Sequence, residues 1–129
     1  MTILQGKKGL IMGVANNRSI AWGIAEEARK YGADLAFTYQ GDALKKRVTP
    51  LAASVDSEIV LPCDVTDQAS VDAVFAELEK KWGKLDFIVH AIAYSDKEEL
   101  RGKYSDTTPG NFEKTMNISA YSLAVVAKA

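Results

Sequence analysis

Apolar residues come in short runs along this chain, separated by longer amphipathic stretches. Leu10 to Met12 is such a run, closed by Gly13, and predicts a buried strand. Ser19 then offers a capping hydroxyl. Behind it Ile20, Ile24, Ala28 and Tyr31 recur at helical spacing, and Ala21 and Ala25 widen the stripe. Gly32 is placed to stop that helix. Leu35 to Tyr39 predicts a second strand, Ile59 to Leu61 a third and Leu85 to Ala91 a strongly apolar fourth. Between the second and third, a helix is expected from Ala43. Thr49-Pro50 reads there as a cap followed by a proline in a restarted first turn, so a break or kink is expected. Asp67 predicts the cap of a third helix whose core face is Val71, Val74, Phe75 and Leu78, ended by Gly83. The polar stretch from Ser95 to Thr108 reads as a loop. A last helix starts near Pro109 and runs through Tyr121, Leu123, Val125 and Val126.

Strand followed by helix, repeated four times, predicts an α/β fold. The strands carry apolar residues on both faces, which a parallel sheet covered by helices on each side requires. All 129 residues are read as one domain. Composition agrees with an ordinary soluble globular protein, at 47% hydrophobic and 26% charged residues. The net charge of −1 and a longest basic run of Lys45-Lys46-Arg47 leave no electrostatic footprint for nucleic acid. Cys63, the only cysteine, sits in an apolar run and is expected to pack as a small hydrophobe. One Cys and one His are too few for a zinc site, and no metal is expected. No apolar run approaches a membrane span, and the apolar stretch after Lys7-Lys8 lacks a cleavage site, so a cytoplasmic location is expected.

Ligands of open parallel sheets bind beyond the carboxyl ends of the strands, where the strand order switches. Four segments should meet there: Gly13 to Ser19, Tyr39-Gln40, Cys63-Asp64-Val65 and Ala91-Ile92-Ala93. Gly13 would let a ligand approach the backbone, and the helix opening at Ser19 would present free N–H groups to a pyrophosphate. Gly23 would let that helix pack closely on the strand. The spacing G-x-G-x-x-G is absent, so a plain strand-loop-helix joint stays open as an alternative. Asp64 reads equally as a binding acid or a turn acid. His90, the only histidine, lies in an apolar strand and reads as a structural residue.

The segment Gly13-Val14-Ala15-Asn16-Asn17-Arg18-Ser19-Ile20-Ala21-Trp22-Gly23-Ile24-Ala25 resembles the divergent phosphate loop of the bacterial NADH-dependent enoyl-acyl-carrier-protein reductases, within the short-chain dehydrogenase/reductase superfamily. Ordinary members carry T-G-x-x-x-G-x-G, against which Met12, Asn17 and Ser19 replace the Thr and the last two glycines. Ala36-Phe37-Thr38-Tyr39-Gln40, Cys63-Asp64-Val65 and His90-Ala91-Ile92-Ala93 extend the likeness along the whole chain. The resemblance implies a Rossmann-like doubly wound sheet, incomplete at its C-terminal side. It implies that Gly13, Ser19 and Ile20 hold the pyrophosphate side of NADH, with Gln40 at the adenosine ribose. Asp64 would accept the adenine amino group, the Val65 backbone would meet the ring, and Ile92 would lie against the cofactor. Tyr94 and Ser95 would stand next to an enoyl thioester carried on acyl carrier protein. Ala93 departs from the Gly common in this family. A homo-oligomer, a tetramer, is implied as well.

The family's catalytic Tyr and Lys lie seven positions apart on one helix, with a further Tyr ten residues upstream, and the resemblance places all three beyond Ala129. Tyr39 and Lys46 have this spacing but straddle a strand end and a helix start. Tyr121 and Lys128 also have it, on the last helix, and share a face if that helix is regular. The segment around Tyr121 instead resembles the helix before the catalytic one, and ten residues upstream stands Asn111. The pair is therefore read as packing, Asn117 is left out of the site, and residues 1–129 alone are expected to be inactive. Two other readings stay open: a short-chain reductase acting on a ketone or alcohol, and a non-catalytic nucleotide-binding module.

Overall fold

The computed structural model describes residues 2–129. Four strands, β1 (Lys8–Met12), β2 (Asp34–Tyr39), β3 (Val60–Pro62) and β4 (Phe87–His90), form one parallel sheet in the order β3-β2-β1-β4. Helices α1 (Ile20–Lys30), α2 (Asp42–Ser54) and α3 (Gln68–Trp82) connect them. After β4 come single 3-10 turns at Lys97–Leu100 and Tyr104–Asp106. Helix α4 (Pro109–Met116) follows, then a π-helical segment at Asn117–Tyr121 and helix α5 (Ser122–Lys128). The order places a switch point between β1 and β4: the chain winds outward from β1 through β2 to β3, then crosses back to the other side of β1.

Strand alternation divides the core in two. Ile11, Leu35 and Phe37 face α1 and α2, and pack with Trp22, Ala25, Val48 and Ala52. Leu10, Met12 and Ala36 face the other way, onto Val71, Val74 and Leu78 of α3 and Val126 of α5. β1 and β2 are buried on both faces, whereas β3 and β4, at the sheet's ends, are only half-buried. The last apolar run yields a strand of four residues, Phe87–His90.

Asp67 caps α3 by accepting the Ala69 N–H at 3.1 Å, and Gly83 closes it in the left-handed conformation. Three expectations are corrected. In α1 the buried face is Ala21, Trp22, Ala25 and Ala28, while Ile20 is 82% exposed and Ile24 is exposed too. Trp22, too large to leave wet, sets the rotation of the helix. Pro50 lies inside α2, which runs unbroken from Asp42 to Ser54. Thr49 and Pro50 are exposed, so the carbonyl that proline leaves unpaired faces water, and burial of Val48 and Ala52 holds the helix. Gly23 is exposed with open space around it. The close approach occurs instead at Gly9, where any Cβ would overlap the Phe87 ring.

Candidate functional site

Four turns converge at the carboxyl ends of the strands. Gly13, Val14 and Ala15 after β1, Tyr39 and Gln40 at the end of β2, Cys63 and Val65 after β3, and Ala91 to Ala93 after β4 line one cavity of about 200 Å³. Of the sequence-predicted residues, Gly13, Gln40, Val65 and Ile92 stand in its wall. Ser19, Ile20 and Asp64 flank wall segments without lining the cavity, and Tyr94 and Ser95 lie past its β4 side.

Gly13 has φ +106°, and a Cβ there would collide with the Ala91 carbonyl oxygen. The expected reason for this glycine was room for a ligand. The observed reason is that the turns after β1 and β4 touch backbone to backbone.

Ser19 has extended backbone angles at the start of α1, but its side chain does not cap the helix. Its Oγ accepts the N–H groups of Ala15 at 2.9 Å and Asn16 at 3.1 Å, and Asn16 Oδ1 accepts the Arg18 N–H at 2.7 Å. The hydroxyl thus folds the loop back on itself. The Ser19 carbonyl takes the N–H groups of Trp22 and Gly23. Those of Ile20 and Ala21 have no partner among the described residues and carry the positive end of the helix dipole.

Asp64 uses one carboxylate oxygen, Oδ1, for the N–H and hydroxyl of Thr66, at 2.9 and 2.6 Å. Its own N–H donates to Ser70 Oγ at 2.8 Å. It is therefore a turn acid whose other oxygen is engaged by no described residue, so the two readings of Asp64 are compatible. Cys63 is buried in the cavity wall, and burial pushes its thiol above the ordinary range. Gln40 is exposed and stands two residues before Asp42, the acid in the first turn of α2.

The β4 side is held by side chains of the C-terminal helices. Ser122 Oγ donates to the Ile118 carbonyl at 2.6 Å, so at 2.7 Å from His90 Nε2 it accepts a ring N–H. His90 is the structural residue the sequence suggested. Ser119 Oγ accepts the Tyr94 N–H at 3.0 Å. Tyr94 is 47% exposed, with the Lys114 ammonium 5.2 Å from its ring centre and its hydroxyl on Asp96. The Lys114 ammonium, 2.9 Å from Asp96, holds that carboxyl below the usual range. Ser95 and Asp96 meet Asn111, a buried residue the sequence reading used only as a spacing mark. Nothing local flagged it, because its partners lie 15 and 16 positions away.

Tyr121 and Lys128 border a different hollow, with Gln68 and Asp72, and share no wall residue with the crevice. The stretch between them is the regular helix α5, so they do share a face, and Tyr121 is 63% exposed rather than packed. Among the described residues, no group of three or more His, Cys, Asp or Glu is placed to hold a metal ion, and no helix is long and apolar enough to cross a membrane.

A family model described as Enoyl-(Acyl carrier protein) reductase matches residues 13–129. The chain is 61% identical over 98% of its length to enoyl-acyl-carrier-protein reductase (NADH) 2 of Rhizobium meliloti, covering 47% of that protein. It superposes on the crystal structure of FabI from Candidatus Liberibacter asiaticus with a TM-score of 0.97 and 51% identity, over 99% of this chain and 50% of that one. The enoyl-acyl-carrier-protein reductase of Anaplasma phagocytophilum, solved in complex with NAD, gives a TM-score of 0.94 and 51% identity over 98% of this chain and 48% of that one. The chain thus spans about half the length of the relatives it matches.

Proposed function

The chain belongs to the enoyl-(acyl carrier protein) reductase family, and on that premise we propose that it forms the cofactor-binding part of an enzyme that reduces a trans-2-enoyl thioester on acyl carrier protein. The observation that carries this reading is the crevice itself: four turns meet at the β1/β4 switch point beside a helix whose first N–H groups are unpaired. Those donors suit a pyrophosphate. Ser19 serves it indirectly, by holding the loop so that Ile20 and Ala21 stay free. Gln40 takes the adenosine ribose hydroxyls, the free oxygen of Asp64 the adenine amine, and the Val65 backbone the ring. Bound NADH supplies the hydride. Ile92 packs against it and keeps water away, and Tyr94 and Ser95 stand on the thioester side. The catalytic tyrosines and lysine belong to the part of the family length beyond Ala129, and the working enzyme is a cytoplasmic homo-oligomer, a tetramer.

NADH is the preferred cofactor, because a neutral amide at Gln40 with Asp42 close by offers no charge to a 2′-phosphate. The test is turnover of crotonyl and acetoacetyl thioesters by the full-length protein with NADH or NADPH. Crotonyl reduction with NADH supports the reading, and acetoacetyl reduction or a clear NADPH advantage overturns it. Residues 1–129 alone should oxidise no NADH with crotonyl thioester. Turnover that Tyr121→Phe abolishes would move the chemistry onto α5's leading edge.

A further inference from the structure

The crevice wall after β4 has little of its own to hold it. Ala91, Ile92 and Ala93 carry no polar side chain. Among the described residues, the one N–H of the three with a partner is that of Ala91, on the Met12 carbonyl at 3.1 Å. The residues on either side of this wall are tied to a single helix. Before it, His90 Nε2 lies 2.7 Å from Ser122 Oγ. After it, the Tyr94 N–H donates to Ser119 Oγ at 3.0 Å, and that hydroxyl returns its proton to the Tyr94 carbonyl at 3.3 Å. The proton roles follow from the acceptors. A carbonyl can only accept, so Ser122 gives its proton to Ile118 at 2.6 Å and takes the ring N–H of His90. Ser122 is 1% exposed and lies among the residues of α5 that face the core with Val126, where a hydroxyl is costly unless it is bonded. Neither serine lines the crevice.

We propose that Ser119 and Ser122 are positioning residues for hydride transfer: they bracket residues 91–93 and fix that wall against the reactive end of the cofactor. The proposal rests on the enoyl thioester reading above. In that reading the turn after β3 holds the adenine, the end of β2 its ribose and the start of α1 the pyrophosphate. The turn after β4 then meets the remaining, hydride-bearing end, and Ile92 is its one large side chain. Releasing either serine leaves the adenosine half of the site untouched. It lets the wall drift at the other end, where a small misplacement of reacting groups slows transfer steeply.

The test uses the full-length protein with crotonyl thioester and NADH. Hydride transfer is read per active site as single-turnover NADH oxidation in stopped flow, NADH affinity by calorimetric titration, and stability by a melting curve. Ser119→Ala is the main variant, because Ser119 is only half-buried and its loss should not unfold the protein. Its single-turnover rate should fall about three- to tenfold, the effect of one hydrogen bond, while the NADH Kd rises less than about twofold. Ser122→Ala should show the same split. Ser119→Thr keeps the hydroxyl and should restore the wild-type rate. A merely structural role would lower the melting point and the number of active sites but leave the rate per site unchanged. That result in both alanine variants overturns the proposal alone, as does a Ser119→Thr protein no faster than Ser119→Ala, or a rise in Kd that matches the fall in rate. A full-length wild type with no crotonyl reduction overturns the proposed function, and this inference with it.

Discussion

The crevice has two walls built on different principles. The β1/β2 wall rests on strands buried on both faces, and its loop is shaped by backbone N–H groups closing on a single hydroxyl. The β4 wall rises from a half-buried strand and is clamped by side chains: His90 to Ser122, Tyr94 to Ser119, and Ser95 and Asp96 to Asn111. The first wall can change only by disturbing the core. The second can be adjusted one hydrogen bond at a time.

The largest test of this contrast is Phe37→Ala. Phe37 is fully buried and packs on Trp22 with ring centres 6.0 Å apart. Its loss should cost about 3–5 kcal/mol, read as a lower denaturation midpoint in the full-length protein. A cost below 1 kcal/mol, by order of magnitude, would show the first wall to be as adjustable as the second.

Gly13→Ala comes next. The left-handed backbone alone costs about 1–3 kcal/mol, and overlap with the Ala91 carbonyl adds to it. Calorimetric titration with NADH should show weaker binding as well, since the turns after β1 and β4 must separate. Unchanged affinity and stability would mean that the two turns do not bear on each other.

Ser122→Ala should cost about 1–2 kcal/mol, the effect of leaving the His90 N–H unpaired in a part-buried place. NADH affinity should fall less than in Gly13→Ala, because this change loosens only the clamped wall. A larger loss of binding than Gly13→Ala causes would reverse the comparison.

The smallest effect is expected at the far end of the sheet. A hydrogen bond from Lys8, with Arg29 close by, holds the Asp34 carboxyl below the usual carboxylate range. A carboxyl depressed in the folded protein stabilises it above the unfolded value, about 3.9, and that contribution fades as pH falls through the folded value. The group is half-exposed, so Asp34→Asn should cost less than about 1 kcal/mol at pH 7. The difference from wild type should shrink in urea titrations below about pH 4, and a difference that grows on acidification would contradict the assigned sign.

The four strand-helix units and the four turns were legible because they rest on local periodicity and on punctuation by Asp67 and Gly83. What stayed hidden depends on distant neighbours. The rotation of α1 follows from where Trp22 finds a core, which apolar spacing at Ile20 and Ile24 does not reveal. Proline at position 50 is tolerated because its side of α2 is wet. Ser19 was legible as a site residue but not in its action, since a hydroxyl before a helix can serve the helix or the loop. Asn111 gave no signal at all. Its importance is a tertiary fact, made by two loop residues folding back onto α4.

The π-helical segment at Asn117–Tyr121 has a consequence for aligning such chains. A π turn holds one residue more than the α-helical path it replaces, so α4 and α5 amount to one helix with an insertion. Deleting one residue there should restore regular winding and leave the facing of everything downstream nearly unchanged, because the wider turn already absorbs the extra residue. Ser122 would stay on His90, and Val126 in the core. A single gap in this helix therefore marks a loss of length rather than a change of facing.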